Sequence, residues 1–253
     1  MRNVICILAL LFAVYASEQD VIEPSSINFE ELVNIHKKIL EAILNDVLLF
    51  EKRIKQNLQV RFNDLRTQAL LKVNNIINSA FENVNLSIEE GKKEGKKIDE
   101  CYDYAKHNLE TRKDNTIAEL ETCVQNGKTT MEAPLMNVAN NIKEIKTLLT
   151  DLNAIIPKCY SSNHIKMQSC IAMNLVLIRS SLKQINSNAI TLVNMTLTAY
   201  INIIRDVKNS VTKLVLDIRI FSKSIIIRTN SCAKNAPVDN LISTNNSKLI
   251  AIY

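Results

Sequence analysis

Histidines, cysteines and paired carboxylates are the residues of this chain whose types suit chemistry, and their spacing decides which chemistry is open to them. The histidines are His36, His107 and His164. A helical metal site needs a second imidazole or thiolate three or four residues away, and a zinc knot needs C-x-x-C. Neither spacing occurs around any of the three. Glu89-Glu90 and Asp99-Glu100 are adjacent pairs, whereas an acid/base couple needs two carboxyls facing one another across a cleft. No serine or cysteine stands in a nucleophile motif, and with only 3 Gly in 253 residues there is no phosphate loop or nucleotide fingerprint. No catalytic residue, metal site or cofactor is therefore assigned, and the chain is read as non-enzymatic.

The cysteines suit a different chemistry. Met1-Arg2-Asn3 followed by an apolar run from Val4 to Val14 has the anatomy of a secretory signal peptide, with cleavage expected after Ala16. The run is too short to span a bilayer, and no later stretch is long and apolar enough. Secretion leads to an oxidising compartment, so Cys101, Cys123, Cys159, Cys170 and Cys232 are disulfide candidates, Cys6 leaving with the signal. Five is odd: one thiol stays free or joins two chains. Sequons at Asn85, Asn194 and Asn245 are glycosylation candidates, and the expectation is a secreted, extracellular glycoprotein.

Charge is divided along the chain. Residues 17–130 hold 16 basic and 20 acidic side chains, a balance of −4, while residues 131–253 hold 14 and 6, a balance of +8. The cations of the second half are scattered singly through apolar sequence without interleaved aromatics, which argues against nucleic acid. The densest cluster, Gly91-Lys92-Lys93-Glu94-Gly95-Lys96-Lys97, is read as a solvated break between helices.

These residues must be positioned by helices. From Leu32 to Val84, apolar side chains recur at Ile35, Ile39, Ile43, Val47, Phe50, Ile54, Leu58 and Phe62 and onward, fourteen steps in 52 residues. That is helical spacing, slightly above the 3.5 of a strict left-handed coiled coil. Ser25 or Ser26 is the expected cap and Gly91 the expected end. A second helix is expected from Lys96 to Asn126-Gly127, a stop signal. A third opens at Pro134 and ends before Pro157. A fourth series runs from Ile171 to Ile225, and helix is preferred over strand for its β-branched end, Val211 to Ile227. Ile171, Met173, Leu175, Val176, Leu177 and Ile178 wrap more than one face, which is read as a central helix buried all round. The fold expected is all-α: an elongated antiparallel bundle of about four long helices, stapled by disulfides. Its divisions are a signal at 1–16, a long amphipathic helix at 17–95, a cysteine-containing helical domain at 96–235 and a tail at 236–253. A hairpin turn near Thr129 and Thr130 would bring Cys101 level with Cys159. One bridge is thus expected within the set Cys101, Cys159 and Cys170, with Cys101–Cys159 the leading pair.

Cys101-Tyr102-Asp103-Tyr104 opens a helix that reaches Cys123, the close pair Cys159 and Cys170 follows, and then comes Ile185-Asn186-Ser187-Asn188-Ala189. This run, from Lys96 to Cys232, resembles the TsetseEP-type family of secreted insect proteins. The long N-terminal helix, the lack of a Glu-Pro repeat and the late Cys232 depart from that pattern. The resemblance implies a helical protein of insect gut or body fluid with no enzymatic residues to carry over. The expected function is protein–protein or surface interaction, and the alternative is carriage of lipid or another apolar ligand by helices that open around it. The partners expected are a protein or surface, or an apolar ligand, with no nucleic acid and no membrane span. A homodimer, linked through the odd cysteine or by helix packing, is also open.

Overall fold

The structure is a computed structural model and describes residues 29–239. The expected signal peptide, its Cys6, the Ser25/Ser26 cap, Asn245 and the tail beyond Asp239 lie outside the described residues. Within them the chain forms three α-helices and no strand: α1 (Phe29–Lys93), α2 (Asp99–Cys159) and α3 (His164–Asn235). The all-α expectation holds, and Val211 to Ile227 is helical.

Four helices were expected and three are found, because the anticipated second and third are one. Gly127 stays in helical conformation instead of entering the left-handed region that ends helices. The glycine serves packing instead of a helix end: a Cβ there would stand 2.6 Å from Val207 Cγ2 and 2.8 Å from Phe62 Cζ. The glycine is where α2 gives way to Phe62 of α1 and Val207 of α3. Pro134 sits inside the same helix. It cannot donate to the Thr130 carbonyl, and helical packing on both sides of it carries the chain through. No hairpin turn forms near Thr129.

The break after α1 is at Gly95, four residues beyond the expected end at Gly91. Gly95 has φ +69°, its N–H bonds the Lys92 carbonyl at 3.0 Å, and the Lys96 N–H bonds the Gly91 carbonyl at 3.1 Å. That double bond pattern is the Schellman cap, and the left-handed residue in it is the one glycine can occupy without strain. Gly91 serves packing: a Cβ there would meet Ile98 Cγ2 at 2.9 Å. The lysine cluster does fall on this break. The second break, Tyr160 to Asn163, ends at an N-cap, with Asn163 Oδ1 accepting from the Lys166 N–H at 3.1 Å.

The chain divides into two compact units, each built from a piece of all three helices. One unit holds residues 29–59 and 129–203. Its buried side chains are Leu40, Ile43, Val47 and Phe50 from α1, Val138, Ile145 and Leu152 from α2, and Ile171, Leu175, Ile178 and Leu182 from α3. Thr196, 1% exposed, points its Oγ1 at the Pro134 carbonyl, 3.5 Å away. The other unit holds residues 60–128 and 204–239. There Val73, Ile77, Ala80, Val84 and Ile88 pack with Ile98, Ala105 and Leu109 and with Ile218, Ile225 and Ala233. Arg66 pairs with Glu121 at 2.6 Å and Ser87 bonds Asn230, so α2 runs antiparallel and α3 parallel to α1 in this unit.

The periodic series marks these cores with small shifts. Ile43 to Phe62 are buried as expected, whereas at Ile39 and Ile76 the buried position passes to the neighbours Leu40 and Ile77. A spacing near 3.7 leaves one residue at the centre of the stripe and the next at its edge, and the facing helix decides which is covered.

Candidate functional site

Each cysteine is positioned by a helix end. Cys101 is in the first turn of α2 and Cys232 in the last turn of α3; they are disulfide-bonded with Cα atoms 5.8 Å apart. One turn further along α2, Tyr104 lies beneath the Arg228 guanidinium, 4.6 Å from ring centre to Cζ. Cys159 ends α2 and Cys170 is in the second turn of α3; they are bonded with Cα atoms 5.5 Å apart. Asn174 Nδ2 donates to the Cys170 carbonyl at 2.9 Å beside this bridge. One bridge does lie within the expected set, but the leading pair Cys101–Cys159 is wrong. With α2 unbroken, these two residues sit at opposite ends of one helix and belong to different units. Among the described residues the free thiol is Cys123, half-buried, with its sulfur 4.0 Å from the Val207 carbonyl.

The histidines stand far apart in sequence. His36, beside Lys37 and Lys38 in sequence, is 3% exposed, and its Nδ1 lies 2.7 Å from the Leu32 carbonyl. His107 is exposed on α2 and His164 on the first turn of α3. Among the described residues no three histidines, cysteines or carboxylates come together as a metal-holding group. No helix of the described residues is long and apolar enough to cross a membrane. Asn85 and Asn194 are exposed, on α1 and α3.

Among the described residues one carboxylate has a perturbed acidity. Asp46 is half-buried on α1, with its Oδ2 enclosed and accepting no hydrogen bond, and loss of hydration raises its pKa above the usual 3.8. A raised acid pKa means folding favours the protonated form, so this contribution is full below the unfolded value and is lost as pH rises through the folded one. Asp46→Asn, which keeps the shape and removes the charge, is expected to match the native chain in acid and to exceed it at neutral pH. Urea midpoints measured from about pH 3 to pH 7 check this, and a deficit for the variant at neutral pH would count against it.

The arrangement with most to offer chemically is on the outside of α3. Ile171, Leu175, Ile178 and Leu182 are buried, but Met173, Val176 and Leu177 are 65%, 66% and 68% exposed. The expectation of a helix buried all round therefore fails: the second apolar face of this segment is turned to solvent. Three helices leave each one an outer face, where a larger bundle would have surrounded α3. At 100° per residue, Ile165, Met173, Val176 and Leu177 fall within an arc of about 120°, opposite the buried row. Ile165 is itself 80% exposed, and so is Tyr160 in the preceding turn. The Cys159–Cys170 bridge holds this turn against the helix. Exposed Lys158, Lys166, Arg179 and Lys183 surround the apolar residues, and no Asp or Glu occurs from Leu152 to Arg205. The signal for it was present as apolar residues out of step with the core series, in a stretch without acids.

Comparison of the chain with family models, curated proteins and solved structures finds no match.

Proposed function

We propose that this is a secreted, non-enzymatic helical glycoprotein that acts by binding a partner or surface through exposed helix faces. The observation that carries the reading is the outward placement of Met173, Val176 and Leu177, each about two-thirds exposed, on a disulfide-anchored segment without carboxylates. Monomeric proteins turn isolated apolar side chains outward as a matter of course, but a contiguous group ringed by charge is the usual mark of an interaction site. The cysteine pattern from Cys101 to Cys170 supports placing the chain with TsetseEP-type proteins of insect extracellular fluid. The alternative, a carrier that opens around an apolar ligand, loses its main support. The surplus apolar residues that suggested it lie on the outside of α3, not around an interior space.

Two measurements on the purified full chain separate the readings. Monomeric fatty acid is expected to leave the thermal midpoint unchanged, because only a ligand held by the folded state raises stability. A saturable rise of several degrees would establish the carrier instead. In hydrophobic-interaction chromatography, M173S/V176S/L177S is expected to elute well before the native chain with an unaltered midpoint. Identical elution would show that the outer face of α3 is not what the protein presents.

A further inference from the structure

We infer that the outer face of α3 beside the Cys159–Cys170 bridge docks onto the surface of an anionic lipid membrane; this rests on the surface-interaction reading above. Three features select that partner. First, the segment itself carries cations and no acids: Lys158, Lys166, Arg179 and Lys183 are exposed, and along the chain no Asp or Glu stands between Asp151 and Asp206. A second copy of the same face would repel it, which argues against a symmetric homodimer there. Second, the exposed apolar side chains between the cations of α3 are aliphatic, and Tyr160 in the preceding turn is the one aromatic of the face. Met173, Val176 and Leu177 offer neither the aromatic stacking platforms nor the fork of polar groups that nucleic acid or a structured polyanion is read by. Aliphatic residues flanked by Lys and Arg are the composition with which helices lie in the headgroup layer, the apolar face entering about 5–10 Å while the cations meet anionic headgroups. Third, the face has the geometry for lying flat. Arg179 and Lys183 fall within about 40° of the apolar arc, close enough for their stems to run along it and their charged ends to reach the same plane. Ile165 and Tyr160 extend the face around the turn that the disulfide fixes.

The face differs from a membrane span in kind. No helix of the described residues is apolar enough to cross. The buried row Ile171, Leu175, Ile178 and Leu182 stays in the protein core while only the outer row meets lipid. Docking therefore needs no unfolding of the unit.

Flotation of the full chain with lipid vesicles tests this. The protein is expected to float with vesicles containing phosphatidylserine and to remain behind with pure phosphatidylcholine, the bound fraction falling as salt is added. R179E/K183E should lower partition at least tenfold, since each cation near such a surface is worth about 1 kcal/mol. M173S/V176S/L177S should lower it comparably, and both variants should keep the native circular dichroism and midpoint. Loss on charge reversal but none on serine substitution would overturn the proposal in favour of a polyanion held by charge alone. Self-association without lipid, abolished by the serine substitutions, would overturn it in favour of a second copy. Absence of flotation with either vesicle would also overturn it. In that event the chromatographic difference described above decides separately whether the outward-face reading stands.

Discussion

Replacing both Cys101 and Cys232 by serine is expected to destabilise the unit holding residues 60–128 and 204–239 by about 3–5 kcal/mol, the largest effect of any cysteine change. The bridge spans 131 residues of sequence. Chain-entropy models assign a loop of that length about 5 kcal/mol, against about 3 kcal/mol for the Cys159–Cys170 loop with its separation of 11 residues. The two bridges close different units. C101S/C232S should therefore release amide protection mainly in Val73 to Leu109 and Ile218 to Ala233, and C159S/C170S mainly around the Tyr160 turn. Denaturant unfolding together with hydrogen exchange reads both. Equal losses for the two variants, or a larger one for C159S/C170S, would contradict this account. Peptide mapping without reduction should recover Cys101 joined to Cys232, and a Cys101–Cys159 peptide would restore the hairpin that the helix assignment excludes.

The meeting of Phe62, Gly127 and Val207 is the second place where a large effect is expected. Phe62 is fully buried, and Phe62→Ala should cost about 3–5 kcal/mol from lost transfer energy and the cavity left behind. Gly127→Ala on its own should be destabilising by about 1 kcal/mol or more. Its helix-propensity gain of nearly 1 kcal/mol is outweighed by forcing a methyl into a space bounded at 2.6 Å and 2.8 Å. In the Phe62→Ala background half of that boundary is gone. The double variant should then be at least 1 kcal/mol more stable than the sum of the single losses, a coupling of the size seen between residues in contact. Simple additivity in urea denaturation would mean that Gly127 is not kept small by Phe62. A stabilising Gly127→Ala in the native background would mean the space is open.

Much of the architecture was legible because it depends on local periodicity. Apolar residues at helical spacing from Leu32 to Val84 and from Ile171 to Ile225, in a chain with 3 glycines, leave little alternative to long helices, and both series are helical throughout. The break at Gly91 to Lys97 was legible for the same reason, since glycine there meets a local requirement of helix ends. The next helix end was placed too early: it was expected before Pro157, but α2 continues through Pro157 to Cys159 and the break is at Tyr160 to Asn163. With Cys6 set aside as part of the expected signal, the other five cysteines announced one thiol outside the bridges, and among the described residues it is Cys123.

Other features were set by residues distant in sequence, and no local pattern contains them. Asn126-Gly127 has the composition of a helix stop, yet α2 runs through it, and the glycine there answers to Phe62 and Val207, which occupy the space a side chain would take. That one difference moves Cys101 and Cys159 from the same level to opposite ends of a helix and hands Cys101 to Cys232. His36 is followed by two lysines yet is buried, since burial follows the face it shares with Val33 and Leu40 and not its neighbours in the chain. Sequence determined that Ile171 to Ile178 is apolar on two faces; only the packing of three helices decided that Ile171, Leu175 and Ile178 go inward and that Met173, Val176 and Leu177 meet solvent. Periodicity fixes which residues share a face, while which face is covered depends on how many helices are present to cover it.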